Sequence, residues 1–589
     1  MIKTKRRSFL FYVLSTLVGL FVFFALLFFM LSGIVVSSLG KKEVNKVESS
    51  VLEIKLNGQI KDYIPHQDLD FGELLGEEFS SPIALNDILK GIKQARNDSN
   101  IKCIYLDVNM LNAGYGTLSE IRQELLQFKE TGKKIIAYAD FYYNRNYFLA
   151  SIADSIFLHP KGEFIFNGMS ANTTFIKNFL DRLGVEMQVL RVGDFKGAVE
   201  PLVRNSLSDE NKNQISKYLQ STYDYFLENI AKARNIPQGQ LTNICNQMLA
   251  KTPQEAEALK LIDGLLYRDE LTSCLNKLGK QKTDRYQSLK TYVNREKKKV
   301  TKEGEIAVVF AEGNIVSGKG TQENIGGKKY ANMLKKIRKN KKIKALVLRV
   351  NSGGGSAFAS DEILREIQLL KEQKIPIVVS FGNIAASGGY YISCFADSIF
   401  SMPNTLTGSI GVFGVYPNAQ KLLNDKLGIY QEIIKTGEFS DLGRLDRSLN
   451  AAEKQWINSR LQTVYDDFVG YVAEGRKMNS QKVKTLAQGK IYSGQNAKSI
   501  GLVDKIGGLD KAIKSASEMA SLKHINVSCY PKPENEFKLI MNKLGLQSWL
   551  PNNRIIEMLL SGKADFKMKN YNVHQDNLQI RIPFEIEFN

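Results

Sequence analysis

Histidine is nearly missing from this chain, with four among 589 residues. His66 and His574 sit in irregular polar stretches, His159 precedes a proline and His524 lies near the C-terminal tail. A Ser-His-Asp triad therefore has little support, and no Cys or His cluster has the spacing of a structural zinc site. Cysteine is also sparse. Cys103, Cys245, Cys274, Cys394 and Cys529 are odd in number, scattered and without a CxxC pair, which argues against a disulfide framework. Zinc-finger spacings and the aromatic-basic pattern of RNA-binding modules are absent too, despite a formal charge of +19 from 80 basic against 61 acidic residues. The basic residues are spread along the chain, which suits a solvated surface near anionic lipid and not a nucleic-acid groove. No metal and no cofactor is expected, and no nucleic-acid partner.

Charge itself is missing from Ser8 to Gly40, directly after the cationic "MIKTKRR". Within that stretch Phe9 to Val36 is long enough to span a bilayer and too long for the apolar core of a cleaved signal. The basic flank on its N-terminal side predicts that this end stays in the cytoplasm, with the remaining chain on the external face of the inner membrane. A cleaved signal peptide is the alternative reading. Residues 1–47 are thus expected to be a basic tip and a single transmembrane anchor, a lipid bilayer being one partner.

What the chain has is a repeat of itself. "IKCIYLDVN" (Ile101 to Asn109) returns as "IKALVLRVN" (Ile343 to Asn351), and "ADSIFLHP" (Ala153 to Pro160) as "ADSIFSMP" (Ala396 to Pro403). "DRLGVEMQVLRVGDF" (Asp181 to Phe195) returns as "DKLGIYQEIIKTGEF" (Asp425 to Phe439), in the same order and at an offset of 242 to 244. The body divides into halves at 48–290 and 304–530, joined by a charged linker at 291–303 and followed by an irregular extension at 531–589. In each half short β-branched runs alternate with amphipathic stretches: strand at Ala345 to Val350, helix at Asp361 to Gln373, strand at Ile375 to Phe381. That rhythm predicts an α/β fold.

The halves differ where chemistry would sit. "FGNIAASGGYYIS" places Ser387 before Gly388 and Gly389, where the first half has Asn144-Arg145-Asn146. The glycine run of "NSGGGSA" (Asn351 to Ala357) is likewise confined to the second half. Conversely "VGDFKGAVEP" carries Lys196, and the matching position in "TGEFSDLGR" is Ser440. A Ser-Gly-Gly turn alone is ordinary, and a lone lysine is normally solvated. Their reciprocal loss across the repeat makes them a pair, and joins the two halves in one site. A serine hydroxyl is a weak nucleophile until a base takes its proton. A lysine can do so if burial holds it neutral. Phe195, Gly197, Ala198 and Val199 would desolvate Lys196, provided that Asp194 and Glu200 point elsewhere. If a helix begins after Ser387, the Gly388 amide and the helix dipole face developing negative charge, and the Gly353 to Gly355 run can add a second backbone donor.

"NSGGGSA", "NIAASGGYYIS", "LTGSIGVFG" and "VGDFKGAVEP", in two repeats behind one apolar segment, resemble the long form of the signal peptide peptidase A family over nearly all of residues 1–530. The resemblance implies tandem crotonase-like, ClpP-like repeats of ββα turns. It also implies a Ser-Lys serine endopeptidase that degrades signal peptides and other apolar peptides left in the membrane, assembled as a homotetramer. By it Ser387 is the nucleophile, Lys196 the general base, Ser409 the group that orients the lysine, and Gly354 and Gly388 the oxyanion hole. Two positions depart from the family pattern: Gly353 replaces a proline, and Gly197 a serine. Neither is a reacting group. A catalytically silent peptide-binding scaffold and an acyl-CoA enzyme are the competing classes. Whether the serine meets the lysine of its own chain or of a neighbour stays open at this stage.

Overall fold

The computed structural model describes residues 49–65, 82–280, 285–295 and 304–532, the backbone of a strand at Leu578–Arg581, and a few helical positions between 15 and 23. Most of the candidate span Phe9 to Val36, the linker from 296 to 303 and most of the C-terminal extension lie outside the described residues. Among the described residues no helix is long and apolar enough to cross a membrane.

Each half is built on a parallel sheet with the same strand order. In the first half the order is Gln287–Ser288, Val51–Lys55, Cys103–Asp107, Lys134–Tyr142, Ser155–Phe164 and Gly264–Leu265. In the second, Val527–Tyr530, Glu305–Glu312, Ile343–Ser352, Ile377–Ala386, Ser398–Ser401 and Lys505–Ile506 follow one another in the corresponding sequence. These strands are near-continuous apolar runs because parallel sheets carry helices on both faces and are buried on both. The first-half core gathers side chains such as Leu52, Ile104, Leu118 and Phe148, and the second-half core Val309, Leu348, Ile363 and Phe468. The Leu289–Val293 helix folds back onto the first half and sets the Leu289 and Val293 side chains against Gly91.

Two departures from the expected strands bear on function. Ile377–Ala386 continues five residues beyond Phe381. Its neighbour Ser398–Ser401 ends, and Leu406–Gly408 takes over the pairing through Ile384↔Leu406, Ala385↔Thr407 and Ala386↔Gly408. The strand therefore runs up to Ser387. In addition, the halves share a third sheet. Glu186–Val192 of the first half pairs antiparallel with Val412–Asn418 of the second, from Val412↔Val192 to Asn418↔Glu186.

The seam between the halves is packed and charged. The Asp209–Arg234 helix of the first half places Ile215 and Tyr218 against Ala386, Leu406 and Ile491 of the second. Elsewhere in the seam Arg349, fully buried, forms ion pairs with Asp62 Oδ1 at 2.9 Å and Glu120 Oε2 at 2.8 Å. It also donates to Ser380 Oγ and the Phe381 carbonyl.

Candidate active site

Ser387 ends its strand in a conformation that L-residues rarely adopt, with φ 54° and ψ −116°. Such strain costs about 1–3 kcal/mol and persists only where the surroundings hold it. Here the Ser387 amide donates to the Gly408 carbonyl at 2.8 Å, and the Tyr391 amide returns to the Ser387 carbonyl at 2.8 Å. A helix does begin after Ser387, but it is a single turn, Gly388–Tyr391. A backbone amide is therefore available beside Ser387, but no extended helix dipole. The turn is wedged against the neighbouring strand, since a Cβ at Gly389 would lie 2.5 Å from the Ser352 carbonyl.

Lys196 comes from the other half. After Glu186–Val192 leaves the shared sheet, the chain turns at Gly193 and the Phe195 amide donates to the Gln488 carbonyl at 2.9 Å. Gly489, at φ 82°, lets this turn approach, since a Cβ there would lie 2.6 Å from the Lys196 nitrogen. The amine end is delivered into the seam. Lys196 Nζ lies 2.7 Å from Ser387 Oγ, 2.7 Å from the Ser409 carbonyl and 2.9 Å from Ser409 Oγ. All three side chains are fully buried. Burial alone holds the lysine amine well below its usual range, because an unpaired ammonium taken out of water is costly.

The two carboxylates that threatened this arrangement turn away. Asp194 is exposed. Glu200 accepts from Asn211 Nδ2 at 2.8 Å and from the Ser208 amide at 3.0 Å. Asn211 and Gln214, on the buried face of the Asp209–Arg234 helix, also support the lysine turn. Asn211 closes over Gly197, where a Cβ would lie 2.5 Å from its amide, and Gln214 Nε2 donates to the Phe195 carbonyl at 3.0 Å. The sequence reading missed both. Their signal was two polar side chains three residues apart on a helix face that must otherwise be apolar.

Ser409 also has a positive φ of 52°, and its amide donates to the Lys490 carbonyl at 2.6 Å. The glycine loop lies alongside: a Cβ on Gly388 would sit 3.0 Å from Gly354 Cα and 3.2 Å from the Gly355 nitrogen. Gly354 has φ 101°, and its amide donates to Ser352 Oγ at a long 3.2 Å. A side chain on Gly355 would strike the Ile315 carbonyl. All five residues singled out in the sequence thus converge on one buried place, and the serine and lysine meet within one chain. Among the described residues no group of His, Cys, Asp and Glu could hold a metal ion. A nucleophile, a buried amine and nearby backbone donors can together perform acyl transfer.

Comparison with known proteins agrees with that class. The sequence model of Peptidase family S49 matches twice, at residues 127–282 and 369–523, once in each half. Protease 4 of Salmonella typhi is 33% identical over 471 residues, covering 78% of this chain and 76% of that protein. Protease 4 of Haemophilus influenzae is 33% identical over 507 residues, covering 82% and 81%. The chloroplastic serine protease SPPA of Arabidopsis thaliana is 31% identical over 512 residues, covering 85% and 74%. Among solved structures, a ClpP1 point mutant from Listeria monocytogenes aligns with a TM-score of 0.24 and 16% identity, over 35% of this chain and 93% of that one. The chain belongs to peptidase family S49. It is a serine protease.

Proposed function

We propose that the protein is a membrane-anchored serine endopeptidase working through a Ser387–Lys196 dyad, and that it degrades signal peptides and other apolar peptides. One observation carries the reading: a fully buried lysine amine 2.7 Å from a strained serine hydroxyl. A neutral amine has two N–H groups and one lone pair. The Ser409 carbonyl and hydroxyl accept the two N–H groups, which leaves the lone pair for the proton of Ser387. Ser387 Oγ attacks the scissile carbonyl as Lys196 takes its proton, the protonated amine passes it to the leaving nitrogen, and water attacks the acyl-enzyme under the same base. Ser409 fixes the lysine rotamer. The Gly388 amide, with the Gly354 amide once it leaves Ser352, faces the developing oxyanion; losing one such donor costs about 3–4 kcal/mol.

Membrane attachment through Phe9 to Val36 and a body on the external face rest on the charge asymmetry of the N-terminus. Apolar membrane-derived peptides are the substrates implied by that location and by the family resemblance. The repeat also favours the homotetramer. Val412–Asn418 and Glu186–Val192 pair across the seam, while their repeat counterparts, 169–175 and 430–436, belong to no sheet among the described residues. Pairing those segments between copies would reproduce the internal seam as an intermolecular one. The functional unit divides into the anchor at 1–47, a lysine-bearing half at 48–290, the linker at 291–303, a serine-bearing half at 304–530 and the extension at 531–589.

The test is hydrolysis of a fluorogenic apolar peptide by the wild type, Ser387→Ala and Lys196→Ala. Each change is expected to lower kcat/KM on the order of 10⁴-fold or more, and combining them should cost little extra, because the two act as a unit. Hydrolysis surviving Ser387→Ala would end this reading, and binding without turnover in the wild type would favour a scaffold.

A further inference from the structure

Two strand edges face each other beside the site, and one strand fills the space between them. Gly354–Ser356 pairs on one side with Asn314–Val316, through Ile315↔Gly355. Val412–Asn418 pairs on one side with Glu186–Val192. Their remaining edges are joined by Leu578–Arg581, antiparallel to both, with Gly354↔Arg581, Gly355↔Ile580 and Ser356↔Gln579 on one flank and Phe413↔Gln579 and Gly414↔Leu578 on the other. The occupant therefore belongs to the C-terminal extension, far in sequence from both edges. A slot flanked by two strand edges accepts an extended peptide through main-chain hydrogen bonds.

The direction of the strand is informative. Antiparallel pairing brings its C-terminal end, Arg581, opposite Gly354, whose backbone adjoins Gly388 and hence Ser387. A peptide entering this way runs N to C toward the serine, as the acyl part of a substrate must. "NLQIRIPF" (Asn577 to Phe584) alternates apolar with polar residues at Leu578, Gln579, Ile580, Arg581 and Ile582, as an extended ligand of such a slot would.

We propose that Leu578–Arg581 is a ligand built into the acyl side of the substrate cleft, which an extended peptide substrate must displace and then replace as an antiparallel strand. This rests on the peptidase reading above. Occupancy lowers the competent fraction of enzyme, so it raises apparent KM and leaves kcat unchanged.

Three full-length-derived proteins test it: the wild type, a variant ending at Asn577, and Ile580→Pro, which removes a strand N–H without shortening the chain. Both variants are expected to lower KM by about tenfold or more at constant kcat. A synthetic peptide of residues 576–589 should then compete with substrate in the shortened variant, and a scrambled peptide should not. Unchanged or raised KM in both variants overturns the proposal. A parallel binding measurement is independent of catalysis: the fluorescently labelled 576–589 peptide is titrated into Ser387→Ala with and without residues 578–589. Saturable binding seen only without the segment supports the proposal even if the dyad assignment fails, and equal binding to both proteins contradicts it.

Discussion

At the end of the strand that leads to its site, each half makes a turn, and the two turns have gone opposite ways. In the second half Ile377–Ala386 stops at Ser387, whose backbone is strained and whose hydroxyl meets the lysine. In the first, Lys134–Tyr142 leads to Asn144, which is not among the residues with positive φ. Asn144 exchanges hydrogen bonds with Asn167, and Asn146 Nδ2 donates to the Val108 carbonyl at 2.8 Å and the Phe141 carbonyl at 2.7 Å. Side-chain amides thus tie down the segment that corresponds to the Ser387-Gly388-Gly389 turn. The lysine turn shows the converse. The amides of Lys196 and Ser440 each donate to the carbonyl three residues back, Gly193 and Gly437, at 3.3 Å, yet Lys196 is buried in the seam and Ser440 is exposed. One frame therefore supports either chemistry or packing, and at this turn the strained backbone is found only at Ser387 and not at Asn144.

The largest contrast should come from the charges at matched strand positions, Arg349 and Asp107. Arg349→Met leaves Asp62 and Glu120 buried without their cation and is expected to cost about 3–5 kcal/mol in urea unfolding. Asp107 pairs at 3.7 Å with Arg268, which is half exposed, so Asp107→Asn should stay within about 1 kcal/mol. Equal costs would break the comparison. Next, Gly388→Ala puts a Cβ 2.9 Å from Ser360 Oγ and 3.0 Å from Gly354 Cα, and should lower kcat by roughly 10²–10³-fold. Its counterpart Arg145→Ala should leave kcat within about twofold, since Arg145 is not among the partners of the Ser387, Lys196 and Ser409 side chains.

A smaller effect concerns pH. Lys196 must be neutral to accept a proton, and burial lowers its pKa, so kcat/KM should rise with pH along a limb lying well below 10.5. The same shift links to stability. The unfolded chain holds the Lys196 proton up to its ordinary range while the folded chain has released it, so this group's contribution to stability grows as pH rises between the two. Lys196→Arg should be inactive at every pH, because a guanidinium does not deprotonate. Glu312 runs the other way. Burial, and then Asp62, push its carboxyl up to about 7, so its contribution is largest below about 4.5 and is lost as pH rises through 7. Glu312→Gln should flatten that part of the stability profile.

The sequence made the repeat legible, and through it the reciprocal pair Ser387 and Lys196, because a comparison of two copies needs no knowledge of contacts. Strand cores were legible from their apolar runs. The extension of Ile377–Ala386 was not, since it depends on a partner strand beginning only at Leu406. Asn211 and Gln214 were hidden for a similar reason: only the packed seam shows which helix face meets the lysine turn. Arg349 reads in sequence as an isolated charge in an apolar strand, and its two carboxylates lie 229 and 287 residues away. The strand at Leu578–Arg581 reads as an alternating segment with no assignable partner, because edge pairing leaves no local mark.

The most direct test of a site assembled from both halves is covalent labelling of the whole protein by a fluorophosphonate, read by intact mass and peptide mapping. One adduct on Ser387 is expected in the wild type, and almost none in Lys196→Ala although that protein stays folded. Undiminished labelling of Ser387 in Lys196→Ala would contradict it, since the serine would then owe its reactivity to a base within its own half.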